Sequence, residues 1–352
     1  MKNPFNIYKY LPRITRRRFN ENYIIIESDD WGMDQSHSYE GIEYLKSQYG
    51  KDKFTRWTTD ALETDEDIEL LFDILRDYKS DFEYPPVITT NFITHNIDYN
   101  NQQLSFIPMS KKFNKNSSKL SKLYKEGINN RLIYPQLHGY SHYNIKKLGE
   151  FLNCKEGKKL FKYGFLNGLS TLRGKTDIFH SELTDSILTI QKNLQAALNE
   201  FNNFFGFQPS TFIPPHFLIN LDLLGFFRTK QLKGIQASNR LIDIRGKRVR
   251  KSFFRKTNGI IWIPRNARLD PHPDYNFFSK ECIAQIKNAF KLKMPAIIDF
   301  HRVNISGKYN KKYRDIALNE LRNVFSNIKI FCPEAKFITT AEFIKICQAT
   351  TK

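Results

Sequence analysis

Long apolar runs are absent. No stretch reaches the roughly 18 consecutive apolar residues that a membrane-spanning helix needs, and residues 1–20 lack the continuous apolar core of a secretory signal. A cytosolic location is therefore expected. Cysteine is scarce: Cys154, Cys282, Cys332 and Cys347 are far apart, so neither a CxxC pair nor a thiolate metal cluster is available, and buried free thiols are expected. Acid is missing from the first twenty positions, where Lys2, Lys9, Arg13, Arg16, Arg17 and Arg18 stand without a counter-charge. No linker rich in Gly, Pro and Ser divides the chain, and no internal repeat occurs. The expected organisation is a basic arm over 1–19 and one domain over 20–352, with the polar stretch 99–130 as an insertion.

What is present is apolar and basic. Among 352 residues, 40% are hydrophobic and 30 are Phe, enough for a substantial core, which excludes disorder for the chain as a whole. Lys and Arg number 55 against 36 Asp and Glu, and the net charge of +19 invites a nucleic-acid reading. No zinc-finger spacing, RNP-like motif or helix-turn-helix accompanies the charge, and beyond the arm it is spread thinly. Solvated surface is the expectation, with no nucleic-acid partner. In the arm, Phe5, Ile7, Tyr8, Tyr10, Leu11, Ile14 and Phe19 interleave with the cations. That composition suits peripheral contact with an anionic surface at the inner face of a membrane, the alternative being a solvated tail.

Short apolar segments alternate with longer ones of helical period. Strands are predicted over 23–28, 87–94, a short stretch leading into 136–137, 211–213, 234–237, 260–264, 296–300 and 336–339. Helices are predicted over 65–79, where Ile68, Leu71, Phe72 and Leu75 share a face, over 186–205 with Gly206 as the stop, over 280–291, over 315–325 and from 341 onward. Strands separated by helices imply an α/β fold around a mostly parallel sheet, open or closed into a barrel.

In such folds polar groups gather where strands end. Three clusters occupy those positions: Asp29 and Asp30, then His138 and His142, then His301. Two histidines four residues apart on a helical turn would share a face and reach one ion, although read alone the pair is as compatible with an incidental one. An acid from another strand end completes a two-His, one-carboxylate set with positions left open for water. Consecutive residues diverge, so one of Asp29 and Asp30 can bind an ion while the other faces its water; a turn or helix cap is the competing reading. His301 suits a general acid, or else a packed histidine beside Arg302.

The pattern resembles the polysaccharide deacetylase (NodB-like) family of metal-dependent carbohydrate esterases. Its strand ending in Asp-Asp and then Gly is matched by Ile24 to Gly32, its His-x-x-x-His by His138 and His142, and its late Leu-x-Ile-His by Ile297 to His301. The resemblance implies a distorted (β/α) barrel of about seven parallel strands, with Asp29 as base, Asp30, His138 and His142 as ligands and His301 as acid. It further implies one divalent ion, Zn²⁺ first, with Co, Ni, Mn or Fe suiting the same ligands. The expected activity is hydrolysis of an N-acetyl or O-acetyl group on a sugar or polysaccharide.

One segment departs from the pattern. Where the family has Phe-Arg-x-Pro-Tyr, this chain has Phe212-Ile213-Pro214-Pro215-His216, so Ile213 replaces the Arg that orients the catalytic Asp. Arg265 or Arg302, at the ends of other strands, are the candidate substitutes. The family's Asp-x-x-Asp-Trp is not recognisable. Trp31, Pro215, His216 and Arg265 are the candidate substrate contacts. The missing Arg keeps a non-catalytic carbohydrate-binding protein of the same fold as the alternative.

Overall fold

The run Ile24-Ile25-Ile26 is buried on both sides, as expected of a central parallel strand covered on each face. In the computed structural model, which describes residues 17–49, 56–101, 103–164, 181–238, 241–249, 253–273 and 275–349, this run lies in the strand Tyr23–Trp31. The arm residues 1–16, and the membrane contact expected of them, lie outside the described residues.

Across the main sheet the strand order is Lys256–Thr257, Ile260–Pro264, Gly234–Ala237, Thr211–Phe212, Ile133–Gly139, Ile88–Ile93, Tyr23–Trp31, Ala296–Asp299 and Ala267–Arg268. Lys336–Phe337 also pairs with the start of Tyr23–Trp31. Every pairing is parallel except that of Lys256–Thr257 with Ile260–Pro264. The strands from Ile260–Pro264 to Ala296–Asp299 in that order are the seven principal parallel ones.

The sheet is also curled. Ile260–Pro264 and Ala267–Arg268 stand toward opposite ends of the order, yet only Arg265 and Asn266 separate them. At about 3.8 Å per Cα step the two ends lie within ~11 Å of each other. The Arg265 N–H donates to the Ala237 carbonyl at 2.8 Å and the Asn266 N–H to the Ile297 carbonyl at 3.0 Å, so the chain itself spans the seam. This is a mostly parallel α/β barrel, distorted where the seam is crossed.

Helices cover the outside of the barrel because each presents one apolar face. Asp65–Asp77 buries Ile68, Leu71, Phe72 and Leu75, the predicted set, and Thr64 and Asp67 close a reciprocal capping box at its start. Ile187–Phe205 ends at Gly206, whose φ of 83° is the left-handed C-cap its position suggested. Its Ile190, Leu194, Ala197, Leu198 and Phe201 are buried, whereas Ile187, also expected on that face, is exposed at the first turn. Lys311–Phe331 is longer than predicted, because Tyr313 and Arg314 extend its buried face toward the N-terminus and Ile328 toward the C-terminus.

Several of the shorter elements escaped prediction. Helices Tyr39–Tyr49, Ile145–Leu152 and Lys155–Lys162 are among them, each of 8 to 11 residues and so too short to establish a period. Within the stretch expected to be a polar insertion, Lys119–Asn129 is a helix with Ser118 as N-cap, and Leu123 and Tyr124 pack into the main core. Its lysines lie on the outer face and mask the pattern. Cys154 differs from the other three cysteines in being exposed, at the cap of Lys155–Lys162.

Gly127 lets this helix pack tightly against Phe72 of Asp65–Asp77. A Cβ there would run into Phe72 Cζ and stand 2.9 Å from Ile133 Cγ1. Ala in place of Gly gains about 1 kcal/mol of helix propensity, but overpacking against an aromatic ring and a β-branched side chain costs about 1–3 kcal/mol. Gly127→Ala is therefore expected to lower stability by about 1–2 kcal/mol, against the usual direction of this substitution in a helix, as read from urea unfolding.

Candidate functional site

Side chains two apart on a strand share a face, so Glu27 and Asp29 both point into the barrel from Tyr23–Trp31. Asp30 does not follow the alternation simply. Its φ is 67°, and Met33 N–H turns back to its carbonyl at 3.3 Å, so the strand end bends and sends Asp29 and Asp30 to different partners. A left-handed conformation in a non-glycine residue costs about 1–3 kcal/mol and persists only where surrounding contacts impose it.

Asp30 meets the two histidines. Its Oδ1 is 3.2 Å from His138 Nε2 and 3.5 Å from His142 Nε2, and the three side chains offer ligand atoms within 4.8 Å of one another. All three are buried. His138 Nδ1 lies 3.0 Å from the Ile213 carbonyl and donates to it, so Nε2 is the ring nitrogen that faces Asp30. Burial opposes the Asp30 charge, but the hydrogen bond from His138 and the nearby His142 outweigh it and hold the carboxyl well below the usual range. Burial likewise opposes a charged His138, and the bond to Asp30 reverses that and raises its pKa. A carboxylate with two imidazole nitrogens, one of them already oriented by a backbone carbonyl, is a donor set that fits a divalent ion.

The two histidines do not share a helical turn. His138 ends Ile133–Gly139 and His142 lies in the bend beyond it with φ 69°, so their convergence comes from a non-helical turn through Gly139 at φ 145°. The two imidazoles meet at Asp30 through this bend and not on the helical face that was expected.

Asp29 faces a different set. Arg265 grips it in a fork, Nη1 to Oδ2 at 2.7 Å and Nη2 to Oδ1 at 2.5 Å, and Asn91 Nδ2 adds a bond to Oδ1 at 2.8 Å. The same guanidinium donates through Nε to Glu27 at 2.8 Å and through Nη1 to Asp299 at 2.7 Å. Asp299 Oδ1 also lies 3.0 Å from His301 Nδ1, while His301 Nε2 is 3.7 Å from Asp29 Oδ2. Burial disfavours the His301 cation, yet Asp299 and then Asp29 raise its pKa above that of a free imidazole. Asp29, Asp299 and His301 also cluster as a potential ligand set, but Arg265 already supplies positive charge there.

The remaining candidates divide. Arg265 is fully buried, so it is not the expected substrate contact; it does hold Asp29, the task for which it was the candidate substitute. Arg302 pairs instead with Asp60 and Glu63, each at 2.9 Å. Trp31 is fully buried, with Nε1 donating to Ser28 Oγ at 2.7 Å, and offers no face to a sugar. Its position beside the acid pair placed it near the site, but the bend at Asp30 turns it into the core. Pro215 is buried, while His216 is exposed with its ring 4.9 Å from that of His142.

Sequence reasoning missed Asn91, Asp299 and Trp57. Asn91 sits in the wholly buried strand Ile88–Ile93 and Asp299 at the end of the apolar run Ala296–Asp299, a signal open to reading. Trp57 is half-buried, its ring edge-to-face with His301 at 5.2 Å, and no local pattern announced it.

No protein-family model and no curated protein matches the chain. Solved structures that resemble it include 4-α-glucanotransferase from Thermococcus litoralis, with TM-score 0.48 and 10% identity, covering 94% of this chain and 40% of that one. This chain thus spans under half of that enzyme. A putative polysaccharide deacetylase from Mycobacterium smegmatis gives TM-score 0.48 and 8% identity over 95% of this chain and 93% of its own. A family 4 acetyl xylan esterase from Clostridium thermocellum, in complex with a cobalt ion, gives 0.43 and 9% over 92% and 91%. At such identities the functional reading rests on the side chains themselves.

Removing the guanidinium leaves three buried carboxylates facing one another. Arg265→Leu is expected to destabilise the fold by about 3–5 kcal/mol. Arg265 lowers the pKa of both Glu27 and Asp299, so its loss raises them, and the deficit is smallest at low pH, where the carboxyls are protonated, and widens as pH increases through the raised values. Urea unfolding of both proteins between pH 4 and 8 reads this directly.

Proposed function

We propose that the protein is a metal-dependent hydrolase of the NodB-like deacetylase type, removing N-acetyl or O-acetyl groups from a carbohydrate or glycan precursor. The observation that carries this reading is the separation of two adjacent acids into opposite roles: Asp30 against two imidazole nitrogens, Asp29 against Arg265 and within reach of His301. A divalent ion held by Asp30, His138 and His142, Zn²⁺ by its preference for such donors, supplies polarisation of the acetyl carbonyl and a lowered pKa for the attacking water.

The chain's own residues do the rest. Asp29 accepts the water's proton, and its Oδ2 is the atom for this, since Oδ1 already receives both Asn91 and Arg265 while Oδ2 receives Arg265 alone. His301 delivers a proton from Nε2 to the departing amine or alkoxide, with Nδ1 held by Asp299. Trp57 fixes the plane of that imidazole from the side. The alternative of a non-catalytic sugar-binding protein drew its support from Ile213; the grip of Arg265 on Asp29 removes most of that support.

The test is acetate release from N-acetylated amino-sugar oligomers by chelator-stripped protein resupplied with single metals. The double variant His138→Ala, His142→Ala is expected to lose both bound metal and turnover. Asp29→Asn is expected to keep the metal and lose about 10²–10⁴-fold in kcat. Binding of the oligomers with no acetate released under any metal would instead favour the non-catalytic reading.

The acid has its own signature. His301 must carry its proton to donate it, so kcat falls as pH rises through its pKa, which Asp299 holds up. Asp299→Asn removes that support and is expected to move the alkaline limb of the kcat profile to lower pH by about one unit, equivalent to about 1.4 kcal/mol. An unmoved limb would take the acid role away from His301.

A further inference from the structure

We infer that Glu182 is a positioning residue for the two-histidine turn, fixing the separation of His138 and His142 that an ion requires; the inference rests on the metal reading above. The reason lies in the backbone. On a helix, residues four apart are held in place by the helix's own N–H···O=C ladder. The turn from His138 to His142 is not helical, and its inner N–H groups need partners from elsewhere.

One carboxylate supplies them. Tyr140 N–H donates to Glu182 Oε1 at 2.8 Å and Ser141 N–H to Glu182 Oε2 at 3.1 Å. These are the two residues at the centre of the turn, between the histidines. Glu182 is 2% exposed, so water does not replace it. On the other side the carbonyls of Gly139 and Tyr140 are taken by the N–H groups of Thr94, at 3.1 Å, and His95, at 2.7 Å.

The clip extends past His142. Asn144 Nδ2 donates to Thr184 Oγ1 at 3.0 Å, and Thr184 Oγ1 donates to the Ser181 carbonyl at 2.8 Å. The short turn Glu182–Thr184 therefore holds the histidine segment at two points. Gly139 is part of the same fit: its φ of 145° admits no ordinary side chain, and a Cβ there would collide with Glu182 Oε1. Loss of the carboxylate leaves two buried N–H groups unpaired, and the turn must shift to recover partners. Because the histidines flank those groups, such a shift changes the distance between their ligand atoms.

The experiment measures metal, not turnover. Chelator-stripped protein is titrated with Zn²⁺ against a chromophoric competitor, and separately with Co²⁺ followed by its d–d absorption. In E182Q an amide N–H₂ opposes one backbone N–H, and Zn²⁺ affinity is expected to fall about 10–100-fold with an altered Co²⁺ spectrum. The apo protein's thermal unfolding reads the stability cost of that unpaired N–H separately, and the Co²⁺ spectrum of the folded variant separates positioning from general stability. E182D keeps the carboxyl group and one hydrogen bond and is expected to lie between wild type and E182Q. Wild-type affinity and spectrum in folded E182Q overturn the inference, and if that variant does not fold, the same result in E182D does so. Failure of the metal reading looks different: wild-type protein then takes up no stoichiometric ion, or the His138→Ala, His142→Ala variant binds as well, and the inference falls with it.

Discussion

Everything at the functional end of the barrel depends on one buried cation. Arg265 is fully inaccessible and touches Glu27, Asp29 and Asp299, carboxylates from two different strands. Removing four charged groups from water costs several kcal/mol each, and only close, well-aligned pairing offsets it. The fork geometry of a guanidinium meets that need where a lysine ammonium, a single point, would satisfy one partner at a time. Three acids against one cation still leave negative charge in excess. Burial pushes Glu27 up to about 7, so part of the excess is carried as a proton, and the raised His301 carries more.

The same residue closes the barrel. Arg265 and Asn266 are the only residues between strands at opposite ends of the sheet order, and their N–H groups bond one end each. Barrel closure and the orientation of Asp29 are thus a single structural event. Asp30 is freed for the histidines only because Asp29 is held elsewhere: two adjacent carboxylates without separate counter-charges would repel one another into alternative rotamers. The positive φ at Asp30 is the local strain of that arrangement, imposed by partners on both sides.

Much of this was legible in the chain. The strand runs at 234–237 and 260–264 were read to the residue, because short apolar segments between polar breaks carry a clear signal. The acid pair, the two histidines and His301 stood out by position at strand ends. What escaped was whatever depends on long-range pairing. An Arg in place of Ile213 would have been visible as a motif, but a guanidinium reaching Asp29 from the barrel seam is a tertiary fact. Trp31 misled for the complementary reason: adjacency in sequence to Asp30 says nothing of the bend that turns its ring inward. The lysine-rich helix 119–129 hid because charge on its outer face outnumbered the few residues it buries.

The interior of the sheet explains why such a site holds its shape. Below Asp29, Asn91 and Gln236 exchange amide hydrogen bonds at 2.7 and 2.8 Å, and Gln236 donates onward to Thr211 Oγ1 at 2.9 Å. Thr211 in turn donates to Gln136 at 2.8 Å. This chain crosses four neighbouring strands with residues that hydrophobic packing would never select. A shift of one strand by one residue would rotate its amide out of the interior and leave its partners buried and unpaired. The polar ladder therefore fixes the register of the strands that end in Asp29 and His138. Apolar packing of the outer face supplies stability; the polar inner face decides which single alignment is stable, and with it where the acids and imidazoles meet.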